Sequence, residues 1–199
     1  MSESQSITTL HLQPDNPCNC TITLDGRTVY EVVTTHEPKT VTTLRNAAGT
    51  VVGSFEWRDV RSDIVTFGED GATMASSDWL KKSWMPFVDG LSFKAKESGK
   101  SFKWKKTAKG MQLFAKESSS QPIVRFRRAT RVINKSTNEQ EPVPAELLMD
   151  GQASGMMDEV VLSFIVLEKD RRAIDEPAQR QGGFLGATQG MAYSSALGS

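Results

Sequence analysis

Basic residues in the middle of the chain are the ones whose type and spacing best suit binding chemistry. Residues 81–131 hold 14 Lys and Arg against 3 Asp and Glu, whereas the 199-residue chain as a whole has 24 of each. Ammonium and guanidinium groups on one face bind phosphates with little geometric demand. The sequence therefore predicts an anion-binding surface composed of Lys94, Lys96, Lys100, Lys103, Lys105, Lys106, Lys109, Arg125, Arg127 and Arg128.

This charge segregation has a second interpretation. The flanking segments are acidic, with 5 basic against 11 acidic residues over 1–80 and 5 against 10 over 132–199. Because adjacent strands commonly pair opposite charges, the flanks could neutralise the basic segment and leave a plain solvated face. Nucleic acid is the less favoured anion, since aromatics that alternate with lysines should face the core and cannot stack on bases.

The histidines and cysteines do not form a pattern typical of catalysis or metal binding. The two histidines, His11 and His36, have no recognisable nucleophile elbow or helical ligand motif beside them. The two cysteines, Cys18 and Cys20, are too few for a structural zinc site or a disulfide framework. We therefore expect reduced thiols, no cofactor, no metal and no enzymatic activity.

The hydropathy pattern argues against a membrane-spanning or secreted chain. The longest nearly apolar stretch, residues 156–167, already contains Asp158 and Glu159, whereas a spanning helix needs about 20 apolar residues. The first residues have neither the basic start nor the apolar run of a secretory signal. We expect an intracellular protein, cytoplasmic or peripheral to a membrane, without a transmembrane segment.

Most of the chain before residue 130 has the pattern of short antiparallel strands. β-Branched runs alternate with turn residues, and Asp25-Gly26 is the strongest hairpin signal among them. In the runs that contain aromatics, two-residue alternation predicts that the aromatic rings face the core. These core-facing residues are Phe55, Trp57, Phe102 and Trp104.

The chain divides into one domain and two tails. Residues 1–6 are expected to be flexible, residues 7–172 to form a single domain, and the Gly/Ser/Gln-rich residues 173–199 to be disordered. Within the domain, the polar, proline-bearing residues 134–154 predict a surface loop or an insertion.

One segment near the end changes period. Apolar residues recur at helical spacing over 156–172, but many are β-branched, so the residues alone leave helix and strand open. In either state the segment is buried, which makes Val161, Phe164 and Ile165 core residues. Asp158, Glu159 and Glu168 bracket the apolar run and are interpreted as residues that stabilise helix ends.

Several motifs together resemble a fungal family of unknown function, numbered 6593, of the tubby-like fold class. The segments that carry the resemblance are Leu12–Pro17, Asp25–Tyr30, Val52–Trp57, Asp78–Leu80, Ser101–Trp104 and Asp158–Arg172. The resemblance implies a closed antiparallel β-barrel around a buried hydrophobic C-terminal helix, and so assigns residues 156–172 to that helix. Tubby domains of the wider class bind phosphoinositides, and other members are scramblase-like, which implies an anionic membrane surface or phosphoinositide as partner.

The function predicted from all this is a non-enzymatic intracellular binding domain. Its basic surface would bind anionic phospholipid or another phosphate-bearing ligand. The alternative is a structural or protein–protein interaction module without a small ligand.

Overall fold

The computed structural model describes residues 7–82, 90–96, 98–107, 110–117 and 120–173, and these are mainly antiparallel β-structure followed by a helix. The first strands are β1 (Thr8–Gln13), β2 (Cys20–Leu24), β3 (Arg27–Thr35), β4 (Val41–Asn46), β5 (Val51–Glu56), β6 (Ile64–Phe67), β7 (Thr73–Ala75) and β8 (Lys81–Lys82). The others are β9 (Leu91–Lys94), β10 (Ser101–Thr107), β11 (Gly110–Ala115), β12 (Val124–Arg127), β13 (Thr130–Ile133), β14 (Gln140–Val143) and β15 (Ala145–Met149). The helices are α1 (Ser76–Trp79), α2 (Gly151–Ser154) and α3, which is helical over residues 157–173.

The predicted hairpin at Asp25-Gly26 joins β2 and β3. Asp25 and Gly26 have φ angles of 50° and 75°, as the two central residues of a type I′ turn require. That turn twists in the same sense as its flanking strands, which is why Asp-Gly between two alternating runs is so specific a signal. Glycine at 75° avoids the clash that a Cβ would cause there.

Thirteen strands form one sheet, whose order is β7-β6-β5-β4-β3-β2-β1-β15-β12-β11-β10-β9-β8. Among the described residues no hydrogen-bonded pairing joins β7 to β8, so the expected closure into a barrel is not established by the pairing. The single-turn helix α1 follows β7 and precedes β8. Its Trp79 stacks on Phe55 at 6.2 Å and meets Phe93 at 5.9 Å between ring centroids, so it packs against both ends of the sheet.

The middle of helix α3 lies in the core of the domain. Val161, Phe164 and Ile165 are at most 1% exposed, and residues 160–166 are buried on every side. The Phe164 ring lies 4.6 Å from Phe126 and 6.3 Å from Trp104 between centroids. The sheet therefore packs around the helix, and the segment that the residues alone left ambiguous is helical.

The aromatic residues expected in the core occupy two environments. Phe55, Phe102 and Trp104 are each 1% exposed, and Trp104 Nε1 donates to Ser163 Oγ of α3 at 2.9 Å. Trp57, by contrast, is half-buried, packed on the rim of the core just after β5. Its Nε1 reaches a protein acceptor there, as a partly buried indole requires.

The expectation of a loop or insertion over residues 134–154 is wrong. That range contains β14, α2 and β15, and β15 pairs with both β1 and β12 in the middle of the sheet. Ala145, Leu147 and Met149 alternate inward and are fully buried. The prolines before β15 suggested a loop because they cannot donate to a sheet ladder, but they lie in and after β14 of a separate two-stranded ribbon.

Candidate functional site

Strands β10 and β12 place three of the predicted basic residues on the outer face of the sheet. Lys103 and Lys105 alternate with the buried Phe102 and Trp104, so their side chains leave the sheet on the solvent side. Lys105 is opposite Gln112 of β11, and Gln112 is opposite Arg125 of β12. Because strands lie about 4.8 Å apart, Lys105 and Arg125 stand about 10 Å from each other in one row.

An aromatic ring lies beneath the lysine side chains on this outer face. Phe114 of β11 is opposite Lys103 and only 8% exposed, although it belongs to the outer face. Lys105 Nζ lies 4.3 Å from the centroid of the Phe114 ring. The lysine stems thus cover an apolar surface while their ammonium groups stay at the solvent boundary. We name Lys103, Lys105 and Arg125 the outer basic row.

Two of the predicted basic residues already have acidic partners. Arg127 Nη1 lies 3.7 Å from Glu146 Oε2 on β15, and Arg128 Nε lies 3.8 Å from Glu168 Oε1 on α3. The neutralising interpretation therefore holds for this pair of arginines. It does not hold for the outer basic row, where no carboxylate of the described residues lies within 4 Å of a basic nitrogen.

The remaining predicted lysines occupy other places. Lys94, Lys96 and Lys100 are exposed at the β9–β10 hairpin, where Gly99 adopts a φ of 64°. Lys106 follows Trp104 by two residues, so it shares the inward-facing side of β10, at the exposed end of that strand. Lys109 lies outside the described residues, as do the expected flexible N-terminus and the expected C-terminal tail beyond residue 173.

A buried carboxylate on α3 is the most unusual electrostatic feature, and the helix-end interpretation of Glu168 missed it. Glu168 is 0% exposed, and it accepts hydrogen bonds from Arg171 Nε at 2.6 Å and Arg172 Nε at 2.8 Å. Arg172 also donates to the backbone oxygen of Asp15 at 2.5 Å and pairs with its carboxylate. This Glu168 cluster ties α3 to the turn after β1.

The sequence contained local signals for part of this cluster. Glu168 follows Val161, Phe164 and Ile165 at the spacing of a single helical face. A carboxylate on such an apolar stripe needs buried partners, because an isolated buried charge costs far more than folding can offset. Arg171 and Arg172 follow Glu168 by three and four residues on the same helix, whereas Arg128, just after β12, reaches Glu168 only in the folded chain.

At the opposite end of α3 a cavity of about 630 Å³ opens beside the first helical turn. Its apolar lining comprises Val52, Phe67, Ala95, Phe102, Met156, Met157 and Leu162. Lys96, Lys100, Asp158 and Glu159 line its polar side. The Tyr30 hydroxyl donates to Asp158 Oδ1, and burial together with this carboxylate raises the pKa of Tyr30.

His11, Cys18 and Cys20 lie in or beside strands β1 and β2. His11 Nδ1 lies 3.6 Å from Glu146 Oε1 of β15, and Thr23 is opposite His11 on β2. Burial raises the pKa of both thiols, that of Cys20 to about 12. Among the described residues, no three His, Cys, Asp or Glu side chains are placed to hold a metal ion.

Comparison with known proteins identifies the family of the chain. Residues 15–173 match the model of a family of unknown function, DUF6593. The chain belongs to this family. Membership in DUF6593 brings no activity with it, and the fungal source and the tubby-like fold that the resemblance implied stay predictions.

No curated protein matches the DUF6593 chain. Among solved structures, a protein from Arabidopsis thaliana is similar with a TM-score of 0.41 and 12% identity, over 85% of this chain and 94% of the plant protein. A likeness of that degree is too weak to transfer either fold or function.

The DUF6593 chain thus offers two places for a ligand. The outer basic row presents unpaired cations to solvent, and the cavity presents an apolar floor with a polar edge. Nowhere in its described ranges does a helix have the length and apolar character needed to cross a bilayer.

Proposed function

We propose that this DUF6593 domain is a non-enzymatic binding domain that holds anionic phospholipid headgroups, or other phosphate-bearing ligands, on its outer basic row. The observation that carries the proposal is the arrangement of Lys103, Lys105 and Arg125. All three lie on one outward face, and none has a described carboxylate within 4 Å. Arg127 and Arg128 are engaged by Glu146 and Glu168 and are therefore not part of the binding surface.

The chemistry of the row suits phosphate. Ammonium groups bind phosphate as point charges, and a guanidinium adds a planar pair of donors. Lys94 on the neighbouring β9 extends the positive surface, since it is exposed and diagonal to Lys103 across the β9–β10 pairing. A phosphate that bridges Lys105 and Arg125 would lie over Gln112, whose amide can also donate.

The expected affinity is low and depends on salt. Each basic residue near an anionic membrane contributes about 1 kcal/mol, so the three residues of the row give about 3 kcal/mol, or four with Lys94. The three residues alone therefore give less than millimolar affinity, which corresponds to about 4 kcal/mol, and Lys94 brings the attraction up to about that value. The domain would thus associate reversibly with a membrane, and we propose an intracellular, membrane-peripheral location for it. The closed tubby-like barrel is the fold that we propose with this function.

The test is co-sedimentation with phosphatidylcholine vesicles that contain or lack phosphatidylserine or a phosphoinositide, at low and physiological salt. The variant changes Lys103, Lys105 and Arg125 to Glu, and we expect it to lose the binding. The matched control changes Arg27, Arg61 and Lys135 to Glu. These residues are exposed elsewhere, so the control has the same net charge and should bind better than the first variant.

Two further measurements complete this test. Inositol hexakisphosphate as competitor separates a preference for free phosphates from one for a membrane. Melting curves give the free energy of unfolding of each variant, which should stay within about 1 kcal/mol of the wild-type value, apart from the loss of the Lys105–Phe114 contact. Absence of salt-sensitive vesicle binding by the wild type, or equal binding by the two variants, would refute the proposal.

A protein–protein interaction module is the second candidate, and one observation favours it. The β13–β14 ribbon is separate from the main sheet, and its Val132 and Ile133 are 46% and 62% exposed. Val132 and Ile133 are consecutive in β13 and point to opposite faces, so each face of the ribbon presents an exposed apolar side chain that suits docking of a protein partner. The double variant Val132→Ser with Ile133→Ser tests this second function. Two results together would favour it: the wild type does not bind vesicles, and the double variant loses a protein complex that co-purifies with the wild type.

A further inference from the structure

The cavity beside the first turn of α3 is lined by segments that are far apart in the sheet. Val52 and Phe67 come from β5 and β6, Phe102 comes from β10, and Leu162 comes from α3. Its volume of about 630 Å³ lies within the range of about 300 to 1,000 Å³ that is typical of ligand pockets. The space is therefore large enough for an extended hydrocarbon chain.

The floor of the cavity is apolar and adaptable. Phe102 and Leu162 are fixed in the core at 1% exposure, while Met156 and Met157 are only partly buried. Methionine side chains are unbranched and polarizable, so they adjust to chains of varying shape. Such a floor favours an apolar, flexible ligand over a compact polar one.

The charges at the edge decide what kind of head the ligand carries. Both carboxylates are held by donors of the protein itself: Asp158 accepts from the Tyr30 hydroxyl, and Glu159 Oε1 accepts from the Lys96 backbone N–H at 2.6 Å. The side chains of Lys96 and Lys100 are exposed, and neither makes an ion pair with a described residue. These hydrogen bonds leave the two carboxylates negatively charged, so the edge carries two carboxylates that are held by described donors and two ammonium groups that have no described ion-pair partner. The ammonium groups of Lys96 and Lys100 are therefore the groups that can contact an anionic head.

We propose that this cavity binds the hydrocarbon chain of an anionic amphiphile, a long-chain carboxylate or phosphate monoester, with the charged head between Lys96 and Lys100. The site is separate from the outer basic row. Lys103 and Lys105 leave β10 on the face opposite to Phe102, which lines the cavity. A chain held here needs no membrane, so the inference is independent of vesicle binding.

The probe for this site is the fluorescent fatty acid cis-parinaric acid, titrated into the full chain. We expect saturable binding that palmitate and hexadecyl phosphate displace. Hexadecanol, which lacks the charge, should displace it about tenfold less well, which corresponds to loss of one good ionic contact. Hexadecyltrimethylammonium should be weaker still, because its head carries the same sign as the two lysines.

Variants of the protein test where the hydrocarbon chain and the charged head of the ligand bind. Val52→Phe fills the cavity from β5 and should weaken parinarate binding about tenfold or more. Its matched control is Val33→Phe, which adds the same ring at a 41% exposed position on β3. If Val52→Phe does not melt cooperatively, Met157→Trp at the cavity gives the same test.

The head is tested by Lys96→Glu with Lys100→Glu. This pair should weaken palmitate binding and leave hexadecanol displacement unchanged. The control pair is Lys81→Glu with Lys82→Glu, on the exposed strand β8. The variant in which the outer basic row is changed to Glu should bind parinarate like wild type, so the two proposals fail separately.

A lipid-transfer experiment distinguishes the two possible sources of the hydrocarbon chain. Wild-type protein is mixed with vesicles that contain a fluorescent phosphatidic acid, and loss of lipid from the vesicles is followed. Extraction identifies a membrane lipid, whereas binding of free palmitate without extraction identifies a soluble amphiphile, and both support the shared chemistry. Absence of saturable parinarate binding, unchanged binding by Val52→Phe, or equal displacement by the cationic surfactant overturns the proposal.

Discussion

Among the described residues, Glu168 is the one charged residue whose side chain is buried. Its carboxylate is fully buried, and three guanidinium groups surround it, from Arg128, Arg171 and Arg172. Burial lowers the pKa of Arg172, but the hydrogen bonds to Glu168 and Asp15 outweigh this and raise it overall. The arginines therefore stay charged and depend on the carboxylate as counter-charge.

Replacing Glu168 by Gln should destabilise the protein by about 3 to 5 kcal/mol, because removing one partner of a buried ion pair leaves the others uncompensated. The control is Asp170→Asn on the same helix, where the side chain is 51% exposed and a change within about 1 kcal/mol is expected. Urea unfolding of the two variants beside wild type measures the difference. A loss below about 1 kcal/mol for Glu168→Gln would contradict the role of the cluster.

Cys20 gives the fold a defined sensitivity to alkaline pH. Burial raises its pKa to about 12 from an ordinary value of 9.0, and the charges of Cys18 and Asp15 add to the rise. Because the folded pKa is the higher one, the stabilisation is complete below pH 9 and is lost as the pH rises from 9 towards 12. Unfolding releases the thiol to ionise in water.

Cys20→Ala should therefore flatten the fall in stability above pH 9 by up to about 1.4 kcal/mol per pH unit, the slope for one proton. The measurement is the free energy of unfolding in urea at several pH values between 8 and 11, under reducing conditions. The variant loses some packing at every pH, so the slope and not the absolute value is compared. Parallel curves for variant and wild type would show that Cys20 does not titrate on unfolding.

At the scale of the element, the β2–β3 hairpin and helix α2 each contain one glycine, and the two glycines differ in backbone conformation. A Cβ on Gly26 or on Gly151 would meet nothing within 4 Å, so neither position is crowded. Gly26 has a φ of 75°, whereas Gly151 follows the N-cap Asp150 and has no positive φ. The two positions thus separate backbone strain from packing.

Gly26→Ala should cost about 1 to 2 kcal/mol, since an L-residue in the left-handed region brings its Cβ too close to the backbone. Gly151→Ala should be neutral or stabilising by up to about 1 kcal/mol, because alanine loses less entropy on entering a helix. Thermal melting of both variants gives the comparison. An equal effect at the two sites would mean that the turn is not type I′ in solution.

At the scale of the whole molecule, the two ends of the sheet are joined by side chains of a single helical turn. The Trp79 ring meets Phe55, Phe67 and Phe93, with centroid distances between 5.1 and 6.2 Å. The first two belong to β5 and β6, and Phe93 belongs to β9. Packing of the Trp79 ring therefore connects the two ends of the sheet, between which no hydrogen-bonded pairing of β7 with β8 is described.

Trp79→Ala should destabilise the domain by about 3 to 5 kcal/mol, the usual cost of removing a buried tryptophan. For a domain of this size that lowers the melting temperature by roughly 10 °C. Trp79→Phe keeps a ring at the seam and should recover most of the loss. If alanine costs no more than phenylalanine, the seam is held by other contacts.

Local features were predictable wherever a short pattern has one physical solution. The Asp25-Gly26 hairpin and the alternation of Phe102 and Trp104 with Lys103 and Lys105 follow from φ preferences and the two-residue repeat of a strand. The segment over 134–154 was not predictable in that way. Its polar residues and Pro142 belong to the β13–β14 ribbon, whereas β15 becomes central only by pairing with β12 and with β1, which lies at the start of the domain.

The sequence by itself determined which residues are basic, which alternate and which segment must be buried, because these depend on residue type and on neighbours along the chain. Tertiary structure decided which charges remain available. Arg127 and Arg128 meet Glu146 and Glu168 only because distant strands and α3 come together, while Lys105 and Arg125 share a row with no acidic residue. The cavity is likewise lined from β5, β6, the β9–β10 hairpin, β10 and α3, and no local pattern encodes a space that such separate segments line.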